Sequence, residues 1–285
     1  MTIPDKTIIQ SIDLSVSGLG ESLEFYSRLI GFKKIPSEGN AVFLSANGKP
    51  PYIISLTENK NGKSPARNNT GLYHIAIRFP NRKELAKVFL RLFENKTKFH
   101  GFSDHLVSEA IYLADRDGNG VELYIDRPKK SWKWTLGQVE MDTLPLNLQV
   151  ITGELDDKDS IKDDIHPDTR IGHIHLKVSD LFKAEKFYNH LLGFIVTNSS
   201  YPGALFLSAG GYHHHIGTNV WESKNGSPPP ENSLGLKSFT ISIPDKNYIK
   251  EIGEKAKNYV IETGKHSDEK ILLSDFDNNK IILTL

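Results

Sequence analysis

The chain has 285 residues, with 35 Lys plus Arg against 35 Asp plus Glu, a formal net charge of zero, and no cysteine. That length accommodates two compact domains, each with its own core. Charge balance offers a polyanion no electrostatic footprint, which argues against a nucleic-acid partner. The lack of thiols excludes cysteine nucleophiles, thiolate metal sites and disulfides, leaving His, Asp and Glu as the strong side-chain ligands. The opening residues MTIPDKTIIQ hold no basic stretch followed by an apolar run, and no window approaches a membrane span. No membrane partner and a cytoplasmic location are therefore expected.

In chain order, an internal repeat sets the organisation. SLEFYSRLIGF at 22–32 matches AEKFYNHLLGF at 184–194, and FLSANGK at 43–49 matches FLSAGGY at 206–212. Each copy begins with an alternating strand (Ile12, Leu14, Val16; Ile174, Leu176, Val178), followed by a helix stopped at Gly31 or Gly193. The Phe-Tyr pair inside each helix reads as core. A second pair of segments, 74–79 and 238–243, gives strands followed by a proline, a polar turn and helices at 82–94 and 246–257. Each then closes with a hairpin, at 112–124 and 272–284. The boundaries are module one at 1–58, module two at 70–126, module three at 171–222 and module four at 234–285. The connection 127–170 is far longer than an ordinary loop. Its first part, with Trp132 and Trp134, should pack on a domain; ELDDKDSIKDDIHPD, with an exposed His166, reads as a solvated linker. PPP at 228–230 is a loop.

Chemistry concentrates between residues 103 and 122. A strand at 110–114, a Gly/Asn turn at 115–120 and a strand at 121–125 put Glu122 near the start of an apolar strand. An unpaired carboxylate is costly there, so Glu122 calls for a partner such as a metal ion, or else faces solvent. The run His105, Ile111-Tyr112, Asp115, Gly118 and Glu122 resembles the extradiol ring-cleavage dioxygenase signature of the vicinal oxygen chelate superfamily. Arg116 stands where that family usually has proline, and Ser103 is unusual two places before the His; neither carries chemistry. The fourfold pattern extends the resemblance over nearly the whole chain, toward bacterial catechol 2,3-dioxygenases of the two-domain kind. It implies an α+β fold of four βαβββ modules paired into two cupped half-barrel domains, the glyoxalase–bleomycin resistance–dioxygenase fold.

In that superfamily the metal ligands come from first strands and one last strand. The first-strand position holds Ser11, His74, His173 and Ser238 in the four modules, and the last-strand position holds Glu122 in module two and Ile282 in module four. The spacing to the strand end favours His173 over His175 on the same face. The resemblance thus implies a triad of His74, His173 and Glu122 holding Fe(II), with Mn(II) as a substitute, and open positions for substrate and dioxygen. Modules two and three would form the metal-site domain, within one chain or between chains of a homo-oligomer, and modules one and four a metal-free domain. The family places a catalytic acid/base histidine at the Tyr212-His213-His214-His215 run; alignment favours His214, with His213 or His215 as alternatives one register step away, and a polar strand edge as the bland reading. His105 and Tyr112 would orient the substrate; Phe102 and Trp221 are nearby aromatics without an assigned role. The implied activity is Fe(II)-dependent extradiol cleavage of catechol or a substituted catechol, the partners being a small aromatic diol and O2. A metal-dependent glyoxalase or isomerase, or a ligand-holding protein of the bleomycin-resistance type, are the alternatives.

Overall fold

The computed structural model describes residues 1–285 except 38, 157, 158, 160, 162, 163, 260–262 and 268, and the backbone alone of 263–267. Apolar and polar residues alternate along Ile8–Val16 (β1), burying Ile12, Leu14 and Val16. The chain then enters α1 (Leu19–Leu23), which continues directly into a π-helical turn, Glu24–Ile30, capped by Gly31 at φ 108. A Cβ at Gly31 would lie 2.9 Å from the Ile165 backbone nitrogen, so both the left-handed backbone and the close approach require glycine. Module one closes with β2 (Lys33–Ile35), β3 (Ala41–Ser45) and β4 (Ile54–Glu58).

Module two contains β5 (Gly71–Arg78), α2 (Arg82–Glu94), β6 (Phe99–Asp104), β7 (Ser108–Ala114) and β8 (Gly120–Asp126). Asn81 caps α2 by accepting from the Glu84 N–H, and Leu85, Val88, Phe89 and Leu92 face inward at helical spacing. Within 127–170, β9 (Trp134–Thr135) and β10 (Gln138–Val139) form a small ribbon, β11 (Leu144–Pro145) pairs with β6, and α3 (Leu148–Thr152) follows. Trp132 is buried and Trp134 exposed, so only the first tryptophan packs as expected. Part of the expected solvated linker, residues 157, 158, 160, 162 and 163, lies outside the described residues. Module three repeats module one with β12 (Arg170–Lys177), α4 (Leu181–Glu185) running into a π-helical turn, β13 (Ile195–Asn198), β14 (Ala204–Ser208) and β15 (Ile216–Asn219). Module four comprises β16 (Gly235–Ser242), α5 (Lys246–Ala256), β17 (Thr263–Ser267), β18 (Lys270–Ser274) and β19 (Lys280–Thr284).

Two curled mixed sheets result, an α+β half-barrel architecture. One has nine strands in the order β11-β6-β7-β8-β5-β12-β15-β14-β13, so modules two and three meet at antiparallel β5 and β12. The other has eight, β17-β18-β19-β16-β1-β4-β3-β2, with modules four and one meeting at β16 and β1.

The Phe-Tyr pairs of the repeat tie the sheets together. Tyr26 donates to the Asp115 carboxylate at 2.9 Å and Tyr188 to that of Asp275 at 2.8 Å, each Asp also accepting from the backbone and side chain of Asn119 or Asn279 in its hairpin turn. Each tyrosine is therefore core with a satisfied hydroxyl, and each hairpin turn of an even module is pinned by a helix of the odd module before it. Among the described residues no helix is long and apolar enough to cross a membrane.

Candidate metal centre and active-site cavity

Three neighbouring strands, β8, β5 and β12, run through the middle of the nine-stranded sheet. Parallel pairing sets Glu122 beside Ala76, and antiparallel pairing sets Ala76 beside His173, so the three form one row across the strands. His74 and His175 face each other two residues along. Side chains alternate along a strand, so both rows point to the same face. This brings Glu122, His74 and His173 together, all buried, with one ligand atom of each lying within 4.8 Å of the others. Alanine at the centre of the row keeps that space clear.

His74 Nε2 is 2.9 Å and His173 Nε2 is 3.1 Å from the same oxygen, Glu122 Oε2. Two donors held 90° apart at about 2.1 Å from one cation are about 3.0 Å from each other, so these separations suit adjacent positions on a single ion. The angles agree. His74 Nε2 is buried yet aligned with no hydrogen-bond partner, in spite of its proximity to the carboxylate. Such an orphaned atom is costly in a dry site unless something it aims at supplies the interaction. Burial opposes charge on Glu122, but the flanking His173 and His74 outweigh it and hold the carboxyl well below the usual range. Burial lowers His173 to about 4, so a neutral imidazole and an ionised carboxylate face each other. The residues fit a divalent metal.

The centre opens onto a cavity of about 770 Å³. Tyr112 lies directly opposite Glu122 in the β7–β8 ladder, which explains their ten-residue spacing across a tight turn. His105 donates through Nδ1 to the Asp142 carbonyl at 2.7 Å, so in the neutral ring Nε2 accepts from the Tyr112 hydroxyl at 2.7 Å. Burial pushes the Tyr112 phenol well above its ordinary value, keeping it protonated.

The histidine run departs from expectation. Residues 212–215 precede β15 and are not a strand, so neither the one-step alternation nor the polar-edge reading applies. All three rings are buried, each with a different set of partners. His213 bonds Asp126 Oδ1 through Nε2 at 3.0 Å. His214 lines the cavity with its ring 4.0 Å from that of His173, and burial holds its pKa well below the usual value. His215 turns away, its Nδ1 3.0 Å from Ser208 Oγ.

Sequence reasoning passed over part of the wall. His175 lines the cavity with its Nε2 engaged by the Asn219 amide at 3.1 Å, and it stands outside the metal-capable cluster found among the described residues. Strand periodicity could have found Asp126, two steps beyond Tyr124 on the Glu122 face. Met141, Asp142, Thr143 and Tyr201 reach the cavity from irregular segments with no motif to announce them. Trp221 lines the cavity, whereas Phe102 packs against Phe89 and Phe99 in the core.

The model of the Glyoxalase/Bleomycin resistance protein/Dioxygenase superfamily matches residues 8–123 and 170–265. A catechol-2,3-dioxygenase of Bacillus subtilis (strain 168) is 41% identical over 271 residues, covering 93% of this chain and 94% of that protein. In fold alone, glyoxalase I of Zea mays superposes with a TM-score of 0.60 at 14% identity, over 98% of this chain and 92% of that one. The cppA protein of Streptococcus pneumoniae TIGR4 does so with 0.58 at 11%, over 100% and 99%. The chain belongs to the Glyoxalase/Bleomycin resistance protein/Dioxygenase superfamily and is an enzyme of its extradiol dioxygenase branch.

Proposed function

We propose that the protein is an Fe(II)-dependent extradiol dioxygenase that opens the ring of catechol or a substituted catechol with O2, in the manner of the catechol-2,3-dioxygenase it resembles. The observation that carries this reading is the open two-histidine, one-carboxylate face of His74, His173 and Glu122 beside His105, Tyr112 and His214. Such a face, with the remaining positions free, is the arrangement of non-haem Fe(II) oxygenases, and Mn(II) suits the same donors. Held by His74, His173 and Glu122, iron(II) would supply a redox-active Lewis acid, a part that redox-inert zinc could not play. Modules two and three, joined through β5 and β12, act as the metal-site domain, and modules one and four as a metal-free domain.

The chain's own groups do the rest. His214, neutral in its buried position, accepts a proton from a substrate hydroxyl and returns it later. The His105–Tyr112 pair hydrogen-bonds a substrate oxygen and orients the ring. A cavity of about 150 Å³ already holds benzene, so about 770 Å³ leaves room for ring substituents. A redox-neutral isomerase would want a fourth protein ligand, and the metal-capable cluster among the described residues has three members.

The test is dioxygen uptake by anaerobically Fe(II)-loaded protein on adding catechol and substituted catechols, followed optically for the yellow ring-opened product. Uptake with yellow product is expected. Iron-bound protein that consumes no oxygen with any of them would refute the reading.

A further inference from the structure

Behind His214 lies a buried chain of hydrogen bonds that the reaction scheme above does not use. Asp126, at the end of β8, accepts at Oδ1 from His213 Nε2 at 3.0 Å and from the Tyr212 hydroxyl at 2.9 Å, while Arg78 Nη1 holds its other oxygen at 2.9 Å. His213 is fully buried among the rings of Trp132, Tyr212 and Tyr124. Its Nδ1 meets His214 Nδ1 at 2.7 Å. His214 Nε2, at the far corner of its ring, has no protein partner among the described residues, and the residue borders the cavity.

Donor and acceptor roles follow link by link. An ionised carboxylate can only accept, so His213 Nε2 carries the hydrogen. Arg78 already balances the charge of Asp126, so a proton on both nitrogens of His213 would bury an excess cation, which is costly. His213 Nδ1 is then a bare lone pair, and the short contact between the two Nδ1 atoms requires His214 to donate from its own Nδ1. One tautomer remains for His214, with Nε2, the nitrogen away from His213, unprotonated.

We propose that Asp126 and His213 are positioning residues that lock His214 as a proton acceptor at Nε2. This inference rests on His214 being the acid/base group of the proposed reaction. In the proton-transfer step the substrate O–H bond breaks and an N–H bond forms at His214 Nε2. The resulting imidazolium keeps its Nδ1–H directed at the His213 Nδ1 lone pair, an acceptor held in place by the His213 Nε2–H bond to the Asp126 carboxylate. A carboxylate that fixes the tautomer of a catalytic imidazole plays the same part in serine hydrolases.

The experiment begins with metal-free protein carrying 15N-labelled histidine, in which ring nitrogen to carbon-bound proton correlations assign the protonated nitrogen of each ring. His214 is expected as the Nδ1–H tautomer and His213 as the Nε2–H tautomer. His213→Phe keeps an aromatic ring in the pocket but removes the acceptor. It is expected to lose the single tautomer of His214 and to lower kcat of the Fe(II)-loaded enzyme about 10²-fold, with KM little changed. His213→Asn places a side-chain oxygen where Nδ1 stood; it is expected to restore the Nδ1–H tautomer and to recover kcat about tenfold over His213→Phe. A wild-type spectrum with the His214 proton on Nε2, or a doubly protonated His213, overturns the inference. So does unaltered kcat in His213→Phe, or an equal loss in both variants. The spectra need neither metal nor substrate, so they stand even if no catechol is cleaved, which separates failure of this inference from failure of the proposed function.

Discussion

His215 gives the sharpest prediction about pH. Its Nδ1 accepts from the Ala209 N–H at 3.3 Å and lies 3.0 Å from Ser208 Oγ, so protonation there would set one donor against another. Burial, with His213, His173, Lys129 and Arg170 acting in the same direction, lowers its pKa from 6.5 to about 3. A folded-state pKa below the unfolded one means that the unfolded chain takes the proton first as pH falls. The stability His215 contributes is therefore complete above 6.5 and is lost progressively toward 3, at about 1.4 kcal/mol per pH unit. By about pH 5 the loss is about 2 kcal/mol, with little solvent screening because the ring is buried. His215→Asn retains an oxygen acceptor for Ala209 and cannot titrate. Urea unfolding of metal-free wild type and variant, in chelator, isolates this group from the other buried histidines. The variant should be less stable at about pH 7.5, through lost contacts with Phe194 and Tyr212, and the gap should shrink by about 2 kcal/mol at about pH 5. A gap that stays constant over that range would refute the reasoning.

His74→Ala, His173→Ala and Glu122→Gln are each expected to abolish metal retention through dialysis while leaving the far-ultraviolet circular dichroism unchanged; full iron content in all three would dismiss the triad. Ala76→Leu keeps every ligand but fills the centre of the row, and strain of about 1–3 kcal/mol should weaken Mn(II) or Fe(II) binding about 5-fold to 150-fold in a titration. Undiminished affinity would mean that the ion does not lie over residue 76. Tyr188→Phe removes a hydrogen bond to a buried carboxylate and should cost about 1.5–3 kcal/mol in urea unfolding without altering metal uptake. Equal unfolding midpoints for variant and wild type would count against it.

The modules were legible because they repeat. The FYxxLxGF pattern marks helix and stop in both odd modules, although nothing in it foretold that each helix would continue as a π-helical turn, which depends on tertiary packing rather than propensity. Glu122 stood out because a carboxylate in an apolar strand needs a reason. His74 and His173 came from matching positions of repeated strands, and they do lie on β5 and β12. The histidine run was misread because strand alternation was applied to residues that precede the strand, and only three-dimensional packing reveals that each ring has its own partner. Asp142 and Tyr201 reach the cavity across long sequence distances, which no local pattern encodes.

The row that gathers the candidate ligands is a property of the scaffold, and among the described residues only one sheet carries ligating side chains on it. In the nine-stranded sheet the row is Glu122, Ala76 and His173, with His74 beside it. In the eight-stranded sheet the same ladders align Ile282, Thr240 and Ser11, with Ser238 in the position of His74. The backbone register is thus duplicated, and the side chains alone distinguish the sheets. Ser238 and Tyr52 donate instead to Asp13, at 2.7 and 3.1 Å, which spends that carboxylate on neutral partners. If register is what assembles the ligands, Ser11→His, Ser238→His, Ile282→Glu and Thr240→Ala together should write a second centre into the eight-stranded sheet. Metal content should then rise by one ion per chain, measured beside a Glu122→Gln version that leaves only the new centre. A quadruple variant that folds but binds no more metal than wild type would show that register is insufficient. Cavity-forming loops, rather than strand pairing, would then be what completes the native centre.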